Sequence, residues 1–185
     1  MILNESILRT AASEARAQYK YYTLNESLTH YDAADSYDLF ISHSFSDKEL
    51  VIGLLHLFTN ARYKVYIDWI NDSSLDRSNV TPETAALIRQ RVKQSKGTSY
   101  IATSNSTSSK WCPWELGVAD GLTGRVCILP VMHTEFFTGQ EYLSLYPYLD
   151  YGSRSGYYQK DFWVTDQKHP SRQVRLRSWL LGIDP

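Results

Sequence analysis

The chain's 185 residues suffice for one domain with a sizeable core and some elaboration, and 43% hydrophobic with 21% charged residues is the composition of a globular protein. A formal net charge of −1 offers no basic footprint for nucleic acid, and two cysteines, Cys112 and Cys127, make no disulfide framework. No apolar run approaches the roughly 20 residues of a membrane span, and MILNESILRTAASEAR lacks the charged start, apolar stretch and cleavage site of a signal peptide, so a reducing, cytoplasmic setting is expected.

Residues 1–35 read as a polar, helix-prone extension. Ile7, Leu8, Ala11, Ala12, Ala15 and Tyr19 recur at helical spacing and form a modest stripe suited to packing or self-association. From Tyr37 the pattern is regular. YDLFIS, 37–42, suits a buried strand, and it runs through Ser-His-Ser into a helix with Ser46 and Asp47 as an N-cap pair. Leu50, Val51, Leu54, Leu55, Phe58 and Ala61 give that helix a broad apolar face. KVYIDWI, 64–70, reads as a second strand, followed by the polar loop NDSSLDRSNV. The next helix has Thr81 as N-cap, Pro82 at its first position and Glu83 in its first turn, and Gly97 is predicted to end it.

TSYIAT, 98–103, is a third strand, and a Ser-rich turn leads to WCPWELGVADGL, a short helix broken by Gly121 and Gly124. RVCILPVM is a fourth strand. Residues 133–185 are less regular: EYLSLYPYLDYGSRSGYY reads as a Tyr-rich loop, FWVTD has the residue types of one more strand, and SRQVRLRSWLLG reads as a closing helix. No boundary splits off a second domain, which leaves an extension, 1–35, and a domain, 36–185, with an irregular C-terminal part.

Nearly continuous apolar strands alternating with helices imply a parallel sheet covered on both faces. Such sheets bind ligands beyond the carboxyl ends of their strands, where Ser42-His43-Ser44, Asp68-Trp69 and the turn 104–110 fall. Glu115, in SKWCPWELG, follows Trp111 by one helical turn and adjoins Trp114. A carboxylate between two indoles would be partly desolvated, which strengthens its effect on a nearby cation. The plainer alternative is a solvated Glu on a helix whose tryptophans anchor the core. Neither GxGxxG nor GxxxxGK[ST] occurs, and the five His and two Cys show no zinc spacing, so no metal is expected. Cys112 precedes a proline and has no base partner in the sequence.

YDLFISHS, WINDSSLDRS and SKWCPWELG follow one another in a chain segment running from Tyr37 to Met132. In that order they resemble the signature segments of Toll/interleukin-1 receptor (TIR) domains, in particular the standalone bacterial type. The resemblance implies a flavodoxin-like three-layer sandwich around a central parallel sheet. Trp111 to Glu115 resembles the Trp-x-x-x-Glu segment that carries the catalytic glutamate of TIR enzymes cleaving NAD+. It therefore implies an NAD+ glycohydrolase or ADP-ribosyl cyclase, with Glu115 catalytic and no cofactor beyond NAD+ as substrate. The product would be ADP-ribose or a cyclic or conjugated form of it, a signal in Thoeris-type anti-phage defence.

The implied NAD+-binding residues are Ser42, His43 and Phe45 on one wall, Asp68, Trp69 and Arg77 around the second strand's end, and Trp111 and Trp114. Phe45 would stack on nicotinamide or adenine, Ser42 or His43 would bond ribose or phosphate, and Arg77 would pair with pyrophosphate. His43 satisfying backbone groups is an equal alternative. Self-association, other TIR domains and an effector activated by the nucleotide product are the implied partners, with neither nucleic acid nor membrane. Two further functions stay open: a non-catalytic TIR adaptor, and an enzyme resembling the nucleoside deoxyribosyltransferases.

Overall fold

Runs of Val, Ile, Leu and aromatic residues form strands that alternate with helices in a computed structural model, which describes residues 3–18, 36–72, 81–132 and 141–185. The strands are β1 (Leu3–Asn4), β2 (Tyr37–Ser42), β3 (Val65–Tyr66), β4 (Ser95–Ala102), β5 (Val126–Met132), β6 (Tyr148–Arg154), β7 (Tyr157–Thr165) and β8 (Gln173–Arg175). The helices are α1 (Glu5–Gln18), α2 (Lys48–Asn60), α3 (Asp68–Asn71), α4 (Pro82–Lys93), α5 (Trp111–Thr123) and α6 (Leu176–Trp179). They build one sheet in the order β3-β2-β4-β5-β6-β7-β8, with β1 added beside β5. Pairing is parallel from β3 through β6 and antiparallel from β6 through β8.

Alternation along each central strand divides the core between two faces. Leu39 and Ile41 of β2, Ile101 of β4, and Cys127, Leu129 and Val131 of β5 pack under α1 and α2. Phe40, Tyr100, Ala102, Val126 and Ile128 point the other way, against Ile88 and Val92 of α4 and Cys112, Leu116 and Ala119 of α5. Each fully buried large side chain contributes about 1.5–3 kcal/mol, so the two clusters hold the three layers together.

Helix α1 is docked. Leu8, Ala11, Ala12 and Ala15 are buried, as the helical stripe implies, whereas Tyr19 lies outside the described residues. The approach to α2 is backbone against backbone, for a Cβ added to Gly53 would sit 1.9 Å from the Leu8 carbonyl oxygen. Only glycine tolerates that contact. Arg16 and Glu49 add an ion pair across it.

Several expectations are corrected by the structure. KVYIDWI holds only the two-residue β3 before the chain turns into α3, because the Asn71 side chain caps the Ile67 amide at 2.7 Å. Helix α4 begins at Thr81, whose hydroxyl accepts from the Thr84 amide at 3.1 Å, but stops at Lys93. Gly97 lies inside β4, opposite Leu39, where a Cβ would come within 3.0 Å of both Trp179 and Leu180. The Tyr-rich loop contains strand β6, whose Asp, Gly, Ser and Arg conceal it in the sequence although it pairs with most of β7. The closing helix shrinks to α6, preceded by β8.

Candidate functional site

With β1 set aside, the order β3-β2-β4-β5-β6 is the 2-1-3-4-5 arrangement of flavodoxin-like sheets. Its topological switch point lies between β2 and β4, where connections depart in opposite directions and leave a crevice. The first strand's polar exit, Ser42-His43-Ser44, stands at this place.

Glu115 reaches it from α5. The buried face of that helix is Cys112, Glu115, Leu116 and Ala119, at spacings of three, one and three residues. A carboxylate thus occupies a core position in an otherwise apolar stripe. Glu115 and Ser42 are both 0% exposed, and the Ser42 hydroxyl donates to Glu115 Oε2 at 2.7 Å. Helix α5 is held at its start by the Ser109 hydroxyl, which accepts from the Cys112 amide at 3.3 Å, and ends at Gly124 in the left-handed region with φ of 61°. Gly121, expected to break it, stays helical.

His43 is equally enclosed. Its Nε2 accepts from the Trp69 indole N–H at 2.9 Å, so the ring proton resides on Nδ1, which donates to the Ile41 carbonyl at 3.0 Å. Asp68, also buried, places a carboxylate oxygen 3.5 Å from Nε2. Asp72 anchors the far end of this short helix, accepting from the Tyr66 hydroxyl at 2.7 Å and from Arg91 through two bonds of 2.7 and 2.9 Å. The segment carrying Asp68 and Trp69 is thereby fixed to α4.

A second latch joins the exits of β2 and β4. The buried Asp47 carboxylate accepts from the Thr103 hydroxyl and the Asn105 amide, both at 2.6 Å. Asp47 stands at the N-cap position of α2 but makes no side-chain cap bond, and Ser44 accepts from the Ser46 amide at 3.4 Å in the short turn before it. No spacing in the sequence ties Asp47 to Thr103 and Asn105, fifty-odd residues away.

Phe45 stands apart as an exposed aromatic at 61%, with the Lys48 ammonium 3.8 Å from its ring centre and 5.1 Å from that of Trp69. Trp111 and Trp114 are i, i+3 neighbours whose rings meet edge to face at 5.4 Å and pack on the α4–α5 core, while Glu115 turns toward the sheet. Ser42, His43, Asp68, Trp69 and Glu115 are thus brought together, with Phe45 at the rim; Arg77 lies outside the described residues. Hollows of about 460 and 650 Å³ stand elsewhere, and neither is lined by these residues. The carboxylate is sealed inside the protein. Among the described residues no cluster of His, Cys, Asp and Glu is placed to hold a metal, and no helix is long and apolar enough to cross a membrane.

Strand order, helices on both faces and a buried carboxylate define a doubly wound α/β protein with an acidic group enclosed at its topological switch point. Residues 39–162 match the family model described as the TIR domain, and the chain belongs to that family. It is 40% identical over 160 residues, 85% of this chain and 82% of the relative, to the "Probable 3' cyclic ADP-D-ribose synthase ThsB'" of Bacillus cereus (strain MSX-D12). A shorter match, 36% identical over 81 residues, covers 43% of this chain and 21% of the "Putative cyclic ADP-D-ribose synthase TIR2" of Cytobacillus dafuensis. A crystal structure of the TIR domain of the Toll-related receptor TRR-2 from Hydra magnipapillata aligns with 62% of this chain and 84% of its own, at TM-score 0.48 and 20% identity.

Proposed function

We propose that the protein cleaves the bond between nicotinamide and ribose in NAD+ and closes the remaining ADP-ribose into a cyclic nucleotide signal, in anti-phage defence of the Thoeris type. The observation that carries this reading is Glu115, wholly buried at the switch point and held by Ser42 at 2.7 Å. Taking a carboxylate out of water costs several kcal/mol, and a scaffold acting only through its surface has no use for it. Similarity to a cyclic ADP-D-ribose synthase over most of both chains supports the cyclic product.

The chemistry needs little apparatus. When the C1′–N bond breaks, its electron pair stays on the nicotinamide nitrogen, so the leaving group departs neutral and requires no general acid. Positive charge develops on the ribose, as in the oxocarbenium-like transition state of glycoside hydrolysis. Glu115 steadies that charge, and Ser42 holds the carboxylate in place. A hydroxyl or ring nitrogen of the same molecule then bonds C1′, losing a proton where it carries one; water instead gives linear ADP-ribose. A sealed, dry site favours the internal nucleophile. Since the carboxylate is closed off here, contacts to the rest of the dinucleotide supply the energy that opens the site. NAD+ is the one nucleotide required, self-association completes the assembly, and the product acts on a separate effector.

The test is Glu115→Gln against wild type, with NAD+, nicotinamide, ADP-ribose and cyclic products separated by chromatography. Losing one preorganised electrostatic group costs about 10²–10³-fold in rate, so the folded variant should retain about 1% of turnover or less. Nicotinamide release at the wild-type rate by Glu115→Gln removes Glu115 from the mechanism.

A further inference from the structure

We propose that the hollow of about 650 Å³ at the carboxyl end of α2 is a second ligand site, which takes the phosphate chain of a nucleotide among arginine and lysine side chains and its base against Tyr158. This goes beyond the reaction proposed above and uses none of its residues. The thirteen residues of α2 set the hollow about 20 Å from the polar exit of β2.

Three segments meet there. Helix α2 ends in a left-handed turn, where the Arg62 amide bonds the Thr59 carbonyl at 3.0 Å and the Tyr63 amide bonds the Phe58 carbonyl at 2.9 Å. Glycine is the usual residue at such a position, yet Arg62 occupies it at φ 62° and sets a guanidinium at the rim. The two-residue turn 155–156, with Gly156 at φ 82°, brings Tyr157 and Tyr158 to the other lip. Strand β8 pairs with β7 only from Trp163 to Thr165. The hollow begins where β8 ends, and Arg175 and Arg177 enter it from that side.

Charge selects the ligand. Arg62, Lys160, Arg175 and Arg177 line the hollow against one carboxylate, Asp161, in a chain whose formal net charge is −1. Asp161 is already engaged, accepting from the Tyr63 hydroxyl at 3.0 Å and from Arg175 Nε at 2.9 Å. Among the described residues Arg62, Lys160 and Arg177 have no carboxylate partner. Arg177 is held in place, 5.0 Å over the Tyr63 ring and donating to the Arg62 carbonyl at 3.3 Å. Three uncompensated cations match the roughly three to four negative charges of a diphosphate or triphosphate chain, and the guanidinium fork suits phosphate oxygens. The volume is that of a small-molecule site. Tyr158 is wholly exposed, with both ring faces open to a stacked base, and the half-exposed Tyr157 ring carries Arg175 at 5.3 Å.

The test is isothermal calorimetry with ATP, inorganic triphosphate and adenosine on wild type, the double variant Arg62→Gly/Lys160→Gln, and Tyr158→Ala. ATP should bind saturably and adenosine should not, and raising salt from about 0.05 to 0.3 M should weaken ATP. The double variant should lose about tenfold in ATP affinity. It should melt no lower than wild type, because glycine relieves the left-handed position, so a binding loss is not a folding loss. Tyr158→Ala should weaken ATP about fivefold and leave inorganic triphosphate unchanged. Absence of saturable ATP binding, or equal affinity in the double variant and wild type, overturns the inference. ATP affinity untouched by Tyr158→Ala overturns the nucleotide assignment. None of these residues belongs to the Glu115 site, so failure to cleave NAD+ leaves this site standing, and failure to bind ATP leaves the proposed reaction standing.

Discussion

Ser42→Ala isolates the contact on which the site depends. The change removes one oxygen from a residue 0% exposed, and with it the 2.7 Å hydrogen bond to Glu115 Oε2. Side-chain volume barely changes, so the cost is electrostatic. A hydrogen bond to a charged group contributes about 1.5–3 kcal/mol, and at about 2–4 °C per kcal/mol for a domain of this size the melting temperature should fall by roughly 3–12 °C. If the carboxylate loses its orientation as well, the same energy taken from the transition state lowers kcat about 10- to 100-fold. Differential scanning fluorimetry and a nicotinamide-release assay measure the two effects. A double-mutant cycle with Glu115→Leu separates the pair from its surroundings, with an expected coupling of about 1–2 kcal/mol. A melting temperature within about 1 °C of wild type, together with unchanged turnover, would refute the claim that Ser42 positions Glu115.

Gly53→Ala places a Cβ against the Leu8 carbonyl, so α1 must move off α2; limited proteolysis should then cut within α1 far faster than in wild type, and equal resistance of α1 contradicts the tight crossing. The hydroxyls of Tyr63, Tyr100, Tyr142, Tyr146 and Tyr151 are all raised above their ordinary pKa, chiefly by burial. The unfolded chain ionises near pH 10 and the native one later, so their contribution is complete below about pH 10 and drains away as pH climbs toward the native values. Urea midpoints should hold steady to about pH 9 and fall between about pH 10 and 11; a flat profile speaks against buried neutral phenols. Burial pushes the Cys127 thiol up to about 12, and Cys112 is buried as well. A disulfide reagent at pH 8 should find no fast thiol in the native protein and two after denaturation, and prompt native labelling would show the core to be open.

Much of the architecture was legible because burial on both faces leaves a periodic trace. β2, the helix after it, the capped start at Thr81 and β5 all carry continuous apolar runs or helical stripes, and all formed close to where the pattern put them. Glu115 was legible from its motif, whereas its place in the buried stripe of Cys112, Leu116 and Ala119 came from the structure. Where the reading failed, distant residues had decided the outcome. Gly97 looks like a helix stop until β2, Trp179 and Leu180 surround it and draw it into a strand. β6 exists because β7 pairs with it, not because its residues favour extended structure.

The site divides along the same line. Local sequence determined that a polar strand exit, an aromatic pair and an acidic helix position would lie at the carboxyl ends of parallel strands, since strand polarity and helix period are properties of short segments. Only the tertiary structure decided that Ser42 would meet Glu115 across 73 positions, that Asp47 would accept from Thr103 and Asn105, and that the tryptophans of α5 would pack edge to face on each other. The reason is physical. A hydrogen bond or ring contact depends on ångström distances between side chains, and those are set by how layers pack, which no local pattern along the chain encodes.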